Sequence, residues 1–364
     1  MFTGLLIGLA MQLTLMAEPL LKPGDIVYAE GGWDVVLRYD PQTQETNLIT
    51  AFEFTDSTGN IAVGNNGDIY GMRAKLGFGP YTEFFIIDGM SAEMRPLSTQ
   101  RLIKHAFRMK LAPDGEWLYV AGEDATNRAI YKVEIATGNQ VLVTTNFNSG
   151  PEYERPYDVA FDGNGGIYVS DFNFGSLIHF DAAGARRRVS SGGMFAFISG
   201  IDVDAAGYVY VASRNHHGIV RVDPVTGEQS SVTKDGYFRG PADVCVAPDG
   251  SLVVTDPASD VLVRVDVRTG EQTLLAQGSP GPRSPVVFAP KSNVMLRATR
   301  SDQGLELSWT DSSGGFVLEE RASLATDGNW TAVTPIPAGN GNGEHAVTAS
   351  VSGEQRFFRL RKGP

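Results

Sequence analysis

Charged and amide side chains recur at two fixed positions of a repeated pair of apolar segments. The first position lies where an inner segment begins and the second lies where the next segment ends. In the six copies these positions hold Asn60, Arg108, Asp158, Gly200, Asp243 and Pro285, and Glu30, Arg73, Gly122, Asp171, Ser213 and Asp256. Since the surrounding segments are apolar, we expect these groups to meet at one end of the fold. They either cap strands and bond to backbone amides or line a ligand site.

Metal binding is one chemistry that these residue types allow. Hard divalent cations such as Ca²⁺ take carboxylate and amide oxygens, and Glu30, Asn60, Asp158 and Asp243 are the candidate ligands. However, the guanidinium groups of Arg73 and Arg108 occupy the same two positions and would oppose a cation or pair with the carboxylates. We therefore expect no cofactor, with a divalent cation as the alternative.

Acid–base catalysis is the second chemistry. Its candidates are Asp158, Asp243 and His216, because an imidazole titrates near neutral pH. His216 is followed by His217, and adjacent residues on a loop seldom both point into one site, so at least one of the two should be exposed. The sequence shows no Ser-His-Asp order, phosphate-binding loop, dinucleotide fingerprint or Cys/His cluster.

Ligand binding is the third possibility, and the loops at this end are rich in aromatic residues. They carry Trp33, Phe78, Tyr81, Phe147, Tyr153, Tyr157, Phe172, Phe174, Phe195, Phe197, Tyr237 and Phe238. Aromatic rings between carboxylates, amides and arginines suit a carbohydrate or a peptide. The candidate ligand-binding residues are Asn60, Arg73, Arg108, Asp158, Asp171, Phe172, Asp243, Asp256 and Tyr237.

A six-fold repeat must position these residues. Its second segments begin at Ile26, Ile69, Leu118, Ile167, Val209 and Leu252, in steps of 43, 49, 49, 42 and 43 residues. Each unit has four short apolar runs separated by turn sequences such as PDG and DGNGG, which is the pattern of a four-stranded propeller blade. The first unit lacks its innermost strand, and residues 284–290 supply the missing run after the sixth unit. A closed ring without free edges is therefore predicted over 24–290.

The repeats resemble those of NHL-type propellers and, more broadly, of gluconolactonase-like and virginiamycin-lyase-like propellers. The residues that carry the resemblance are the strand pairs beginning at Asp158 and Ile167, and at Asp243 and Leu252. The resemblance implies a six-bladed β-propeller. It also implies, as an alternative to binding, a metal-dependent hydrolase or lyase that uses Asn60, Asp158, Asp243 and His216.

The two ends of the chain differ from the repeats. Residues 2–17 are apolar and uncharged and resemble an export signal, with cleavage expected after Ala17. Residues 291–364 alternate in short runs, which indicates a small β-sandwich. Their pattern LSW…FVLEE…NW…FFRLR resembles C-terminal modules of exported Verrucomicrobia-type proteins.

Charge and cysteine content exclude some functions. The net charge is −12, and the tail from Lys291 holds 8 basic and 8 acidic residues, so the whole excess lies before it. No nucleic-acid partner is expected for such an acidic propeller. The lone Cys245 should be a small buried hydrophobe. The sequence thus predicts an all-β chain, a six-bladed β-propeller followed by a small β-sandwich-like domain. We expect an exported monomer, not inserted in a membrane, that binds a carbohydrate, peptide or protein.

Overall fold

The computed structural model describes residues 19–31, 34–52, 56–75, 81–147, 154–278, 280–290, 297–301, 304–310, 316–321, 331–333, 344–349 and 357–362. The proposed signal, Trp33, Phe78 and Tyr153 lie outside these ranges. The chain divides into two compact units, Met1–Ala289 and Pro290–Pro364. All the regular structure within the described ranges is β-strand.

The first unit is a six-bladed β-propeller made of four-stranded antiparallel sheets. Its strands are β1 (Ile26–Glu30), β2 (Val35–Asp40), β3 (Glu45–Ala51), β4 (Asp56–Val63), β5 (Ile69–Lys75), β6 (Thr82–Ile87), β7 (Met94–Pro96), β8 (His105–Leu111), β9 (Trp117–Glu123), β10 (Arg128–Glu134), β11 (Gln140–Thr144), β12 (Pro156–Phe161), β13 (Ile167–Asp171), β14 (Ser176–Phe180), β15 (Arg186–Ser191), β16 (Ile198–Val203), β17 (Val209–Ser213), β18 (Gly218–Val222), β19 (Gln229–Lys234), β20 (Asp243–Val246), β21 (Leu252–Asp256), β22 (Val261–Val265), β23 (Gln272–Gln277) and β24 (Pro282–Val287).

The ring is closed by the pairing of its last strand with its first. Blade one has the order β24-β1-β2-β3, and the other five blades follow chain order from the innermost strand outward. Strand β24 pairs antiparallel with β1, and backbone bonds from Phe288 to Asp25 and from Gly24 to Phe288 extend the pairing. The innermost strands β24, β4, β8, β12, β16 and β20 contact one another in sequence, and the last contacts the first. No innermost strand is therefore left as an open edge.

The core lies between the blades. Second strands such as β13 and β21 are buried along their whole length, because both faces of each sheet pack on a neighbouring blade. Six apolar clusters each join two adjacent blades. For example, Ile26 and Tyr28 of blade one pack with Val253 and Leu262 of blade six. Outermost strands such as β15 are largely exposed.

Many of the acidic residues that mark the repeat close turns between the third and fourth strands. The Oδ1 atom of Asp223 accepts the backbone N–H groups of Val225 at 2.7 Å and Thr226 at 3.1 Å. Asp266 does the same with Arg268 and Thr269, and backbone hydrogen bonds lower the pKa of both carboxyls. Part of the negative charge of the chain is therefore used to fix turns.

The second unit consists of two three-stranded antiparallel sheets. The strands are β25 (Arg297–Ser301), β26 (Gly304–Thr310), β27 (Phe316–Arg321), β28 (Thr331–Ala332), β29 (Glu344–Ala349) and β30 (Phe357–Lys362). Their orders are β25-β26-β29 and β28-β27-β30. Leu307 and Trp309 from one sheet and Leu318 from the other form a common buried cluster, as in a small sandwich. None of the described residues of the chain belongs to a helix that is long and apolar enough to span a membrane.

Candidate functional site

Bulges at the start of the inner strands set the geometry of the channel mouth. The pairing of β4 with β5 shifts between Thr58 and Asn60, that of β8 with β9 between Ala106 and Arg108, and that of β12 with β13 between Pro156 and Asp158. In each case one extra residue faces away from the regular ladder. These extra residues are Gly59, Phe107 and Tyr157.

The closing strand departs from the sequence alignment by one residue. Its register shifts between Val27 and Ala29, so Ser284 and not Pro285 takes the inner position of blade one. Ser284 is buried and accepts a hydrogen bond from Nδ2 of Asn60. The strand also begins at Pro282, two residues before the expected segment 284–290. Val287 pairs with Ile26 as Phe161 pairs with Ile167, which places Ser284 at the position of Asp158, where the sequence alignment had placed Pro285.

The inner-ring side chains form a floor across the channel. Arg108 of blade three donates to the carboxylate of Asp243 in blade six, and these two blades lie opposite each other in the ring. The other nitrogen of Arg108 donates to the carbonyl of Ala242 at 3.0 Å. Arg108 is 3% exposed and Asp243 is 6% exposed, so this ion pair is shielded from water. A second ion pair lies two residues further along the inner strands. Lys110, which follows Arg108 on β8, pairs with Asp202, which follows Gly200 on β16, at 3.0 Å.

Asp158 belongs to the same floor and is held by backbone donors. Its Oδ1 accepts the N–H of Val159 at 2.8 Å, and its Oδ2 accepts that of Ile201 at 2.9 Å. Burial, reinforced by the negative charge of Asp243, raises the pKa of Asp158 to about 7. Burial also raises the pKa of Asp243, although Arg108 opposes this. At Arg108 burial is the largest influence and opposes the charge, but Asp243, Tyr157 and Asp158 together outweigh it and the pKa is raised.

A glycine allows the floor to close. A Cβ atom at Gly200 would overlap the side chain and the Cα of Asp243, so the inner position of blade five has room only for hydrogen. The sequence alignment placed Gly200 in the ring but gave it no function. The structure shows that its lack of a side chain allows Asp243 to approach closely.

The mouth pocket lies directly above this floor. It has a volume of about 250 Å³ and is lined by Gly59, Phe107, Arg108, Tyr157, Arg214, Ala242, Pro257, Ala258 and Arg283. All six blades contribute to this lining, since Arg283 comes from blade one, Gly59 from blade two and Arg214 from the loop after β17. Arg108 and Ala242 belong both to the floor and to the lining, so the buried ion pair forms the base of this cup.

An aromatic row borders one side of the mouth pocket. Phe107 stacks on Tyr157 with a centroid separation of 6.0 Å, Tyr157 packs on Phe172 at 5.1 Å, and Phe172 meets the edge of Phe197 at 5.7 Å. The guanidinium of Arg155 lies 4.4 Å from the Phe107 centroid. Phe197 is 51% exposed, so the row extends from the pocket into solvent.

The carboxylates at the ends of the second strands fix loops. Asp171 accepts bonds from the backbone of Arg155 and Asn173 and from the hydroxyl of Ser176. Asp256 accepts four backbone N–H groups, including those of Arg239 and Ala258. Both carboxylates are completely buried, as is Glu30. Asp171 and Asp256 were expected as ligand-binding residues. In the structure their carboxylates are buried and hold neighbouring loops through hydrogen bonds.

Arg73 also lies away from the mouth pocket. It pairs with Glu83 on β6 at 3.1 Å and lines a separate cavity of about 290 Å³ beside blade two, together with Tyr81 and Arg101. Its side chain follows the sheet toward the neighbouring strand, because Arg73 and Glu83 are directly opposite in the β5–β6 ladder.

His216 and Tyr237 lie toward the outer strands. The Nε2 atom of His216 is 3.1 Å from the hydroxyl of Ser231 on the outermost strand β19, whereas Asp158 and Asp243 lie on inner strands. The structure thus does not assemble the proposed acid–base group. Tyr237 is 41% exposed, its N–H donates to Gln272 on the outermost strand β23, and it does not line the mouth pocket. Phe195 and Phe238 are buried packing residues.

Three of the four candidate metal ligands, Asn60, Asp158 and Asp243, already accept hydrogen bonds. The amide oxygen of Asn60 accepts the N–H of Met109 at 2.8 Å, and the oxygens of Asp158 and Asp243 accept backbone and guanidinium donors. Across the described ranges, no group of three or more His, Cys, Asp and Glu side chains is arranged to hold a metal ion. Burial raises the pKa of Cys245 to about 12, so this thiol stays protonated at neutral pH.

Several mouth residues were missed by the sequence analysis. Phe107, Arg155, Arg214 and Arg283 were not among the candidates, although Phe107 and Arg283 directly precede inner-ring residues. A scan of the position before each ring residue would have found Phe107 but not Arg283, because the sequence alignment placed Pro285 and not Ser284 in the ring. The repeated TGNQ and TGEQ turns were also overlooked. Their glutamines, Gln140, Gln229 and Gln272, bond the loop that leaves the preceding blade.

Comparison with known proteins supports the fold. A chain from a crystal structure of a nidogen/laminin complex matches with a TM-score of 0.61 and 11% sequence identity, over 73% of this chain and 98% of that chain. At this identity the similarity shows a shared β-propeller fold and nothing more. No protein-family model matches the sequence, and no curated protein matches it.

Proposed function

We propose that this chain is a binding protein whose propeller holds a ligand in the mouth pocket. The observation that carries the proposal is a cup lined by all six blades, with a buried ion pair as its floor. Concave sites with a few polar groups and aromatic walls are typical of ligand binding. The similar propeller was solved in a nidogen/laminin complex, so the fold is compatible with a binding role.

The finer features of the proposal rest on the sequence. The repeat pattern supports an NHL-type propeller, residues 2–17 support export, and residues 291–364 would serve as an accessory module. Binding is favoured over a lactonase-like or lyase-like reaction, because His216 bonds to an outer strand while the channel carboxylates are buried and hydrogen-bonded.

A matched pair of tyrosine variants tests the proposal. The full chain is screened against glycan and peptide arrays, and the affinity for each hit is measured by titration. Tyr157→Ala, which removes a wall of the mouth pocket, should weaken binding by on the order of 1 kcal/mol or about fivefold. Tyr237→Ala, which removes an exposed ring outside the pocket, should bind as the unmodified chain does.

Melting temperatures of both variants separate binding from folding. Equal loss of affinity in the two variants, or an unchanged affinity in Tyr157→Ala, would show that the ligand binds elsewhere. An array without any hit would remove the support for a ligand-binding role.

A further inference from the structure

The mouth pocket has the opposite charge to the chain around it. The net charge is −12, yet three arginines, Arg108, Arg214 and Arg283, line the pocket. Among the described residues that line it, none is Asp or Glu. A local field of the opposite sign to the net charge selects ligands by their charge.

Two of these three arginines are available to a ligand. Arg108 is committed to Asp243, whereas Arg214 and Arg283 are exposed and have no carboxylate within 4.0 Å in the described part of the chain. Partial burial, followed by the positive charges of Arg108 and Arg214, lowers the pKa of Arg283. An anion placed between the guanidinium groups would relieve this repulsion and gain charge-assisted hydrogen bonds.

The lining favours a carboxylate over a tetrahedral anion. Phosphate and sulfate sites commonly use converging backbone N–H groups. Here the N–H groups of Arg214, Ala242 and Ala258 already donate to Phe197, Thr255 and Asp256, and Pro257 has none. The charged donors of the lining are guanidinium groups, whose planar forks match a planar carboxylate in a bidentate manner.

We propose that the mouth pocket binds an acidic sugar residue, with Arg214 and Arg283 holding its carboxylate and the Phe107–Tyr157 wall packing on its ring. This inference rests on the proposed ligand-binding function. The volume of about 250 Å³ lies near the lower end of small-ligand sites and suits one ring with its carboxylate. An acidic peptide would place only one short side chain in the cup and leave the aromatic wall unused.

Matched ligands test the charge requirement. Trimers of galacturonate, glucuronate and mannuronate are titrated into the full chain, together with their neutral methyl esters and a pentaglutamate peptide. At least one uronate trimer should bind, and its methyl ester, which keeps the ring and removes the charge, should bind at least tenfold more weakly. Affinity should also fall as sodium chloride is raised.

Matched variants test the arginines. Arg214→Gln and Arg283→Gln should each weaken uronate binding about tenfold. Arg268→Gln, which removes the same charge from an exposed turn between β22 and β23, should leave the affinity unchanged. Melting temperatures confirm that all three variants fold.

The outcomes that overturn this inference differ from those that overturn ligand binding itself. Binding of the methyl esters or of pentaglutamate as tight as that of every uronate would reject an acidic-sugar site, as would equal losses in Arg268→Gln and Arg283→Gln. Failure of all three uronates would also reject it, even if Tyr157→Ala still weakened the binding of another ligand from the arrays.

Discussion

The floor and the mouth of the channel are built from neighbouring residues with opposite environments. Asp243, Arg108 and Asp158 in the floor are buried and hydrogen-bonded to the protein. The residues directly before ring positions, such as Phe107, Tyr157 and Arg283, line a solvent-accessible pocket. A one-residue bulge therefore separates a structural layer from a layer that can meet a ligand.

This difference shows that polarity alone does not identify a binding residue in a propeller. A buried carboxylate that is hydrogen-bonded to the protein is costly to disturb, and its burial keeps it away from a ligand. An exposed arginine beside other positive charges differs from such a carboxylate, because an anionic ligand would reduce the repulsion between these charges. Substitutions in the two layers should therefore differ in which property they change, stability in the floor and affinity in the mouth.

The largest effect on stability is expected in the floor. Asp243→Ala removes the partner of Arg108 and leaves a guanidinium that is 3% exposed without its carboxylate. Loss of one member of a buried ion pair typically costs about 3–5 kcal/mol. We expect a decrease of that size in the free energy of unfolding, measured by denaturant titration.

Asp243→Asn provides the comparison, because it keeps an oxygen acceptor and most of the volume. It should be less damaging than Asp243→Ala. A loss below about 1 kcal/mol for Asp243→Ala would mean that the floor pair behaves as a surface ion pair, and the distinction between the layers would fail.

The sequence was sufficient to predict the architecture, because periodicity reports burial. Evenly spaced apolar runs and the displaced closing segment indicated six blades, and the structure and the nidogen/laminin neighbour show the propeller fold. The site was predicted only in part. Asn60, Arg108, Asp158 and Asp243 do meet in the channel, but repeat spacing could not show that bulges place Phe107 and Arg283 at the surface above them. It also could not show the rotamers that direct Arg73 to Glu83.

A smaller effect is expected from the pH dependence of the floor. The pKa of Asp158 is about 7 in the folded state, raised from 3.8. Between these values the folded chain keeps a proton that the unfolded chain has lost, so the stability falls as the pH rises. At about 1.4 kcal/mol per pKa unit, this contribution should reduce the stability by about 3 kcal/mol between pH 4 and pH 7.

Asp158→Asn tests this contribution. The variant loses one acceptor and is less stable at low pH, but its stability should vary less with pH over this window than that of the unmodified chain. Asp243, Arg108 and Lys110 face Asp158 and are present in both proteins, so the difference in slope belongs to Asp158. Parallel pH profiles would show that this carboxyl does not titrate near neutrality.

The smallest effect on stability is expected at the mouth. Burial, followed by repulsion from Arg108 and Arg214, lowers the pKa of Arg283, and the opposite effects of Tyr157 and Asp34 do not offset it. Arg283→Gln removes that repulsion, so the free energy of unfolding should stay within about 0.5 kcal/mol of the original value or rise slightly. The same variant is expected to lose affinity for an acidic sugar. A fall in stability as large as that of Asp243→Ala would place Arg283 in the structural layer, whereas unchanged stability with reduced affinity would show that the bulge separates the two roles.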